Sequence, residues 1–579
     1  MAIHNTPFTL VAVGLLIYAL AYWGYSKAID RKIWNPDPAR PTPAHTYADG
    51  VEFFPVGRYV LYGFQFNSIA ALGPILGPGI ALIFGWLPAF LWIILAALLI
   101  GWVQDYSALF LSVRNEGKSF GPLAYELIGP TARKLLLGFL LFYFLLINAA
   151  FIFVVAVVID VFPSSFWSLL FLVAAAFITG HLVFNVRMNI IAVTAIAIAL
   201  LVAGIVVGTL FAWPPPGSLT LGGRPGSPYT LWLVPIVIIL LLGSLLPLPR
   251  LITPMNYIAY YPVIVAIVAL TIGALASPLT GIEMAVPAFK GFEGTFRSGP
   301  LWPALFVAIA CGAISGWHSL ISTGISSRQL DVETDARPVG AGAMLTENTV
   351  GLTALAAWVV LAPERVSPVI FPQGATKMVA PIAGGEAAAP FINTFFSIYM
   401  VFMAITILTI LGRYWRVVMA EVFSDTSLSI LGNKYVASVL GFVLPIAFVL
   451  TGSWINIWLY FGGTNQLLAG FALTIVAVYL LQQRKSASYS LIPGIFMMIT
   501  TLAAIAYQVY VFFVATTQAL LLHPTQNILK EAAGIGAVQA INAFSVAVGI
   551  IMFVLGISMF ILLLKALSRA KATAVKPAQ

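Results

Sequence analysis

The chain has 579 residues, is 61% hydrophobic and only 8% charged, and carries a formal net charge of +9. A soluble domain draws about 25% of its residues from Asp, Glu, Lys and Arg, so this supply cannot coat a water-facing surface. Composition therefore excludes a water-soluble enzyme and points to an integral membrane protein whose solvent is the lipid bilayer. The apolar runs are continuous rather than alternating, which excludes a β-barrel. The single Cys311 excludes a disulfide or a cysteine-ligated metal. The basic residues flank apolar runs in short loops, which argues against nucleic acid as a partner.

About fifteen segments approach the ~20 apolar residues that a bilayer-crossing helix needs. They are 8–25, 60–84, 87–111, 135–160, 164–184, 188–212, 230–249, 256–278, 300–325, 340–362, 391–412, 435–452, 455–481, 490–515 and 542–564. The reading is an all-α polytopic membrane protein. The first run has no basic segment before it and no small-residue cleavage site after it. Trp23, Tyr25 and Lys27 form an interfacial anchor, so a retained helix is expected rather than a signal peptide. The stretch 26–58 contains NPDPARPTPAHTYADG, whose prolines forbid a regular helix; it is expected to lie along the cytoplasmic face. That placement puts 22 of the 28 Lys and Arg inside and leaves Arg224, Lys290, Arg297, Arg365, Lys377 and Lys530 outside. The positive-inside rule then predicts an external N-terminus and a cytoplasmic C-terminus. The external loops 213–229, 279–299, 363–390 and 516–541 are expected to form lids or short interfacial helices.

The first segment that carries chemistry is 67–80, NSIAALGPILGPGI. Gly73, Pro74, Gly77, Pro78 and Gly79 fall within seven residues at membrane mid-depth. Proline removes a backbone donor and glycine tolerates an unwound backbone, so an interruption is expected at 73–79. Exposed backbone is tolerated in a membrane only beside protein or a wet cavity. An unwound helix offers amide donors to a substrate carboxylate and carbonyls to a cation. Further along, Asp105 sits at the inner part of the third run, where a structural pair with Arg114 or Arg328 competes with an ion-coupling role.

A second interrupted helix is expected at 311–329, CGAISGWHSLISTGISSRQ, with Gly312, Gly316 and Gly324 among His318, Ser319, Ser322, Thr323, Ser326 and Ser327. So many hydroxyls in one span imply a polar cavity or helix–helix hydrogen bonds. Gly316, His318, Ser319 and Ser322 are candidate substrate-binding residues, although a lone buried imidazole also occurs as a satisfied core residue. Glu347 lies inside the run 340–362. A charge there is costly and usually functional, so Glu347 is the leading ion-coupling candidate, against a fixed ion pair or helix cap. Asn148 and Asn189 are weaker polar candidates. The segment 461–470, FGGTNQLLAG, adds Asn465 and Gln466 as candidates facing the same cavity. His181 is expected at the interface.

Two broken helices of opposite direction are the pattern of an inverted-repeat transporter. The arithmetic gives an N-terminal helix and loop (1–59), a first repeat (60–212), inserted helices and outside loops (213–299), a second repeat (300–482) and accessory helices (483–579). No phosphate loop GxxxxGK[ST], no HExxH and no CxxC is present. No cofactor or metal is therefore expected, and primary ATP-driven transport by this chain alone is disfavoured. A channel would need a continuous pore and symmetric subunits, and a membrane-embedded nutrient sensor would carry a soluble output domain. A membrane-embedded enzyme would want a catalytic dyad or metal cluster at membrane depth, and the five histidines, His4, His45, His181, His318 and His523, fall on five separate segments that could still meet in space.

Five segments make a resemblance specific: RPTPAHTYADGVEFFP (40–55), SIAALGPILGPGIALIFGWLPAFLWI (68–93), DYSALFLSVRNEGKS (105–119), WHSLISTGISSRQL (317–330) and FGGTNQLLAG (461–470). Together they resemble the carbon starvation protein A family. Gln104 departs from the pattern, where a histidine beside the aspartate is expected. The resemblance implies a LeuT-like five-plus-five inverted fold of the amino acid–polyamine–organocation superfamily, with discontinuous and extra helices. It also implies a prokaryotic plasma membrane and a secondary transporter that takes up peptides during nutrient limitation, with pyruvate or another small monocarboxylate as the alternative. The coupling ion would be a proton or sodium. Both substrates carry a carboxylate suited to the 73–79 backbone. Only a peptide carries an ammonium, for which Glu347 is the natural partner.

Overall fold

The computed structural model describes residues 5–211, 229–361, 367–450, 454–522 and 526–575. His4, Arg224, Arg365, His523 and Lys576, with nearly all of the loop 213–229, lie outside them. Among the described residues the chain is helical throughout, and the only β pairing is two isolated bridges, Val56 with Leu330 and Glu293 with Pro300.

Ten described helices are long and apolar enough to cross a membrane, and an eleventh span results if Arg58–Ile69 and Leu72–Phe84, bent by 46°, are one. The expectation of about fifteen exceeds this because several apolar runs resolve into shorter pieces. Tyr229–Leu245 and Lys434–Val449 are shorter apolar helices. The run 300–325 divides into Leu301–Ala308 and a second half at 316–329, and 340–362 holds the 17-residue helix Ala343–Val359. The first helix is longer than its apolar run and extends from Pro7 to Trp34. Its last turns are π-helical, and Asn35 ends it with a left-handed φ of 47°. The prolines that forbid a helix begin only at Pro36, so residues 26–34 are free to continue it.

Pro130–Val161, Ala389–Phe423 and Ile455–Gln482 are the most enclosed spans. They form the centre against which the broken helices pack, and their burial on nearly all faces suits their uniformly apolar sequences. Ile190–Leu210 and Gln526–Val575 lie at the periphery. Asparagine side chains cap two helices: Asn189 accepts from Ile191 N at 2.8 Å and Asn433 from Tyr435 N at 2.9 Å.

Both ends of the bundle are covered. At one end, the loop after Thr280 lays its backbone across neighbouring elements: Met284 N donates to Asn5 O, Ala285 N to Val359 O and Lys290 N to Phe84 O, while Trp86 N donates to Pro287 O. Gly85 sits in this crossing with φ of 98°, and a Cβ there would strike the backbone of Ala288 and Phe289. The expected lid at 363–390 includes the helix Ile370–Val379. The opposite end collects Arg40, Arg58, Arg114, Arg328 and their acidic partners, and is called the basic end below.

Candidate functional site

The first broken helix is interrupted at Ala70 and Ala71, whose backbone is extended, and not at 73–79. Residues Leu72–Ala81 are helical and fully buried. Pro74 falls in the first turn, where a missing N–H has no intrahelical acceptor to lose, so it starts the half-helix rather than breaking one. The glycines serve close packing. A Cβ on Gly77 would come within 2.6 Å of Ala308 O, one on Gly73 would meet Cys311, and one on Gly79 would enter the Trp358 ring. The second break spans 309–315, and a Cβ on its Gly312 would reach 2.9 Å from Pro74 Cα. The two interruptions therefore press directly on each other.

Broken helices leave carbonyls and amides without intrahelical partners. Here tryptophans and amides from neighbouring helices supply them. Trp317 Nε1 donates to Ser68 O at 2.8 Å and Trp458 Nε1 to Ala308 O at 3.1 Å, while Trp358 Nε1 adds a second bond, at 2.8 Å, to Ile75 O inside the helix. Gln466 donates to Phe306 O at 2.8 Å and Ile309 O at 3.2 Å, closing the end of Leu301–Ala308. Asn465 Oδ1 accepts from Trp317 N at 3.1 Å and Tyr143 OH at 2.9 Å, capping the start of the second half. Its Nδ2 donates to Cys311 Sγ at 3.2 Å. Asn348 donates to Gly312 O at 2.9 Å. Asn465 and Gln466 thus hold the break open from one helix. Gly316 lies so close to Asn465 and Leu468 that a Cβ has no room.

Three ionisable side chains from three elements meet just beyond this capped break. His318, one turn into the second half-helix, places Nδ1 2.9 Å from Asp105 Oδ2 and Nε2 3.0 Å from Glu347 Oε2. All three side chains are fully buried. The Asp105 contact is an aligned hydrogen bond. The Glu347 contact lies off the ring N–H direction and is one of charge, so neither Glu347 oxygen has a hydrogen-bond partner. Asp105 does not pair with Arg114 or Arg328; Arg114 binds Glu333 at 2.6 Å and Arg328 binds Glu52. The helix Trp86–Val113 turns Asp105 inward, and the arginines lie further on, at the basic end.

Around this triad Gln104 donates to Ser319, and Gln65 donates to Ser322 at 3.0 Å. Gln104 Oε1, Asp105 Oδ1, both Glu347 oxygens and Asn348 Oδ1 are buried acceptors without a donor. Buried polar groups are nearly always satisfied; His318 Nε2 is also left without a hydrogen bond here, but the acceptors outnumber it, and that surplus marks a place for something that donates. With all three groups charged the triad carries one uncompensated negative charge, which one further proton or cation balances. Asn148 instead donates to Gly441 O at 3.0 Å, a helix–helix contact. His45 pairs with Asp331 at the basic end, and His181 is exposed.

Sequence reading flagged Asp105, His318 and Glu347 separately and assigned His318 to substrate. It missed Tyr143, Gln65, Asn348 and Tyr399, whose hydroxyl is also buried without a partner. Asn348 follows Glu347 directly, which is a usable signal; Tyr399 sits in a long apolar run that carries none.

Comparison with known proteins finds relatives among membrane transporters. The chain is 34% identical over 367 residues to the pyruvate/proton symporter BtsT of Escherichia coli, covering 62% of this chain and 50% of that protein. It is 28% identical over 540 residues to the peptide transporter CstA of Bacillus subtilis, covering 85% and 89%. It is 31% identical over 385 residues to the peptide transporter CstA of Escherichia coli, covering 65% and 54%. The match thus spans about half the length of the two Escherichia coli relatives. A crystal structure of a mutant manganese transporter from Eremococcus coleocola superposes with a TM-score of 0.39 at 12% identity, covering 88% of this chain and 96% of that one. The family described as carbon starvation protein CstA matches residues 6–370 and 364–504, and the chain belongs to that family.

Proposed function

We propose that this chain is a secondary active transporter that couples inward proton movement to the uptake of peptides across a prokaryotic plasma membrane, with Asp105, His318 and Glu347 as its proton site. One observation carries the reading: three fully buried ionisable groups, with a surplus of donor-free acceptors, sit just beyond the break of the second interrupted helix. Intramembrane ionisable groups are expensive and mark ion pathways, and opposed broken helices mark transporter sites. This geometry supports a five-plus-five inverted repeat of LeuT-like type, and the charge distribution supports a cytoplasmic basic end. The relatives' names supply the proton and the two substrate classes.

Peptide is favoured because an acceptor-rich site suits an ammonium, a donor that pyruvate lacks. Pyruvate is the second reading, carried by the likeness to the symporter of that name. The test is uptake of labelled dipeptide and of labelled pyruvate into proteoliposomes under imposed proton or sodium gradients. Dipeptide accumulation driven by the proton gradient alone is expected. Accumulation of pyruvate instead moves the substrate assignment, sodium-driven accumulation moves the ion, and uptake of neither removes the reading.

A further inference from the structure

From the triad toward the basic end, the segment 316–329 carries five hydroxyls in two columns. Ser322 and Ser326 follow His318 at four-residue steps; Ser319, Thr323 and Ser327 form the neighbouring column, and all are fully buried. Opposing elements answer them. Gln65 donates to Ser322 at 3.0 Å and accepts from Ser326 at 2.5 Å. The Ser112 hydroxyl lies 2.8 Å from both Ser327 Oγ and Lys118 O, in the loop at the basic end, with its one proton shared between these acceptors. Residues Ser322–Ser326 are π-helical, a local widening that recurs at functional sites. A few such bonds suffice to hold helices together. Thr323 and Ser327 donate within their own helix, to Ser319 O at 2.7 Å and Thr323 O at 3.0 Å, so the cross-helix bonds of the line run through Gln65 and Ser112, from beside the ionisable cluster to the charged face.

The foot of this line is covered by residues 37–58, which strap across the loop that follows it. Val56 N donates to Gln329 O at 3.0 Å and Thr42 Oγ1 to Leu330 O at 2.5 Å. Arg58 binds Asp335 at 2.5 Å, Glu52 binds Arg328, and the Asp37 amide donates to Glu333 at 2.8 Å. Residues 45–52 are exposed, so polar and charged contacts, not an apolar core, hold the middle of the strap. The pairs of this middle part, His45 with Asp331 and Glu52 with Arg328, are exposed and individually weak, whereas Asp335 and Glu333, which hold its two ends, are buried; the middle therefore opens without unfolding what it covers.

We infer that the hydroxyl line is the route by which the triad reaches solvent at the basic end, and that the 37–58 strap is the gate closing it. The inference rests on the transport reading above. Val56 and Leu330 are bridge partners, so their side chains stand close enough for a disulfide, and the native Cys311 is buried away from them. The experiment uses Val56→Cys/Leu330→Cys in proteoliposomes, with Ser326→Cys added in a second preparation. Oxidation should reduce labelled-dipeptide uptake to the level of empty liposomes, and reduction should restore it. A membrane-impermeant maleimide applied to the basic end should label position 326 in the reduced protein and not in the cross-linked one, as read by peptide mass spectrometry. A confirmed cross-link that leaves uptake and labelling unchanged overturns the inference. Should that pair fail to fold or cross-link, His45→Cys/Asp331→Cys, joined by a short bis-maleimide, asks the same question at an exposed position. If unmodified protein takes up neither dipeptide nor pyruvate, the transport reading fails, while gated labelling of position 326 still decides the gate.

Discussion

Glu347→Gln separates a proton site from a structural ion pair. The substitution keeps shape and removes one negative charge 3.0 Å from His318 Nε2. At an effective dielectric near 20, that contact is worth about 5 kcal/mol of Coulomb attraction. Burying the carboxylate costs several kcal/mol in the opposite direction. Neither Glu347 oxygen accepts a hydrogen bond, so the change orphans no donor. Asp105 remains 2.9 Å from His318 after the change, so no uncompensated buried charge is left, and the variant's stability should stay within about 2 kcal/mol of the parent. Its transport should change in kind: exchange of labelled for unlabelled dipeptide across equilibrated proteoliposomes continues, while accumulation driven by a proton gradient disappears. Proton-driven accumulation at the parent level would refute the coupling role. Parallel loss of thermal stability and exchange would show that Glu347 is a structural partner of His318.

Three further outcomes test the framework. Asn465→Leu strands the buried Tyr143 hydroxyl and Trp317 amide at about 1–3 kcal/mol each, so thermal unfolding should show a loss of about 2–6 kcal/mol; unchanged stability with weakened substrate binding would return Asn465 to the substrate. Gly77→Ala places a Cβ 2.6 Å from Ala308 O and 2.9 Å from Ile309 Cα, an overpacking that should destabilise by about 1–3 kcal/mol and slow uptake by spreading the crossing of the two breaks. In the strap, the amides of Val51 and Phe53 hold the Asp49 carboxyl below its usual range. Its contribution is complete above the ordinary carboxylate value of about 3.9 and is lost only as pH falls through the lower folded value. Hydrogen exchange at 51–53, corrected for intrinsic rates, should therefore stay constant from about pH 7 to pH 5, and Asp49→Ala should accelerate it throughout.

Much of the site was visible along the chain. Glu347 and Asp105 stood out because charge in an apolar run is costly, and the hydroxyls after His318 stood out by number. The pairing was not visible: Asp105 had basic residues near it in sequence, yet its partner, His318, comes from a helix more than 200 residues away. The first break falls at Ala70 and Ala71, a few residues before the Gly/Pro cluster; glycine and proline mark both unwinding and tight packing. The choice depends on what lies opposite, here the backbone of 308–312.

Composition alone determined the solvent, since 8% charge cannot cover a water-facing surface. Apolar run length determined the helical class, because an isolated segment in lipid must satisfy its own backbone. Both are sums over local residues and need no partner. Tertiary structure alone decided which polar groups are spent on the fold and which are left over. Asn465 and Gln466 read like binding residues in sequence; in the fold their amides cap the ends of a broken helix, while Gln466 Oε1 stays without a partner. Glu347 reads like any buried acid, but it keeps both oxygens free of hydrogen bonds beside His318. Hydrogen-bond satisfaction belongs to pairs of groups brought together from distant segments, so only the folded chain determines it.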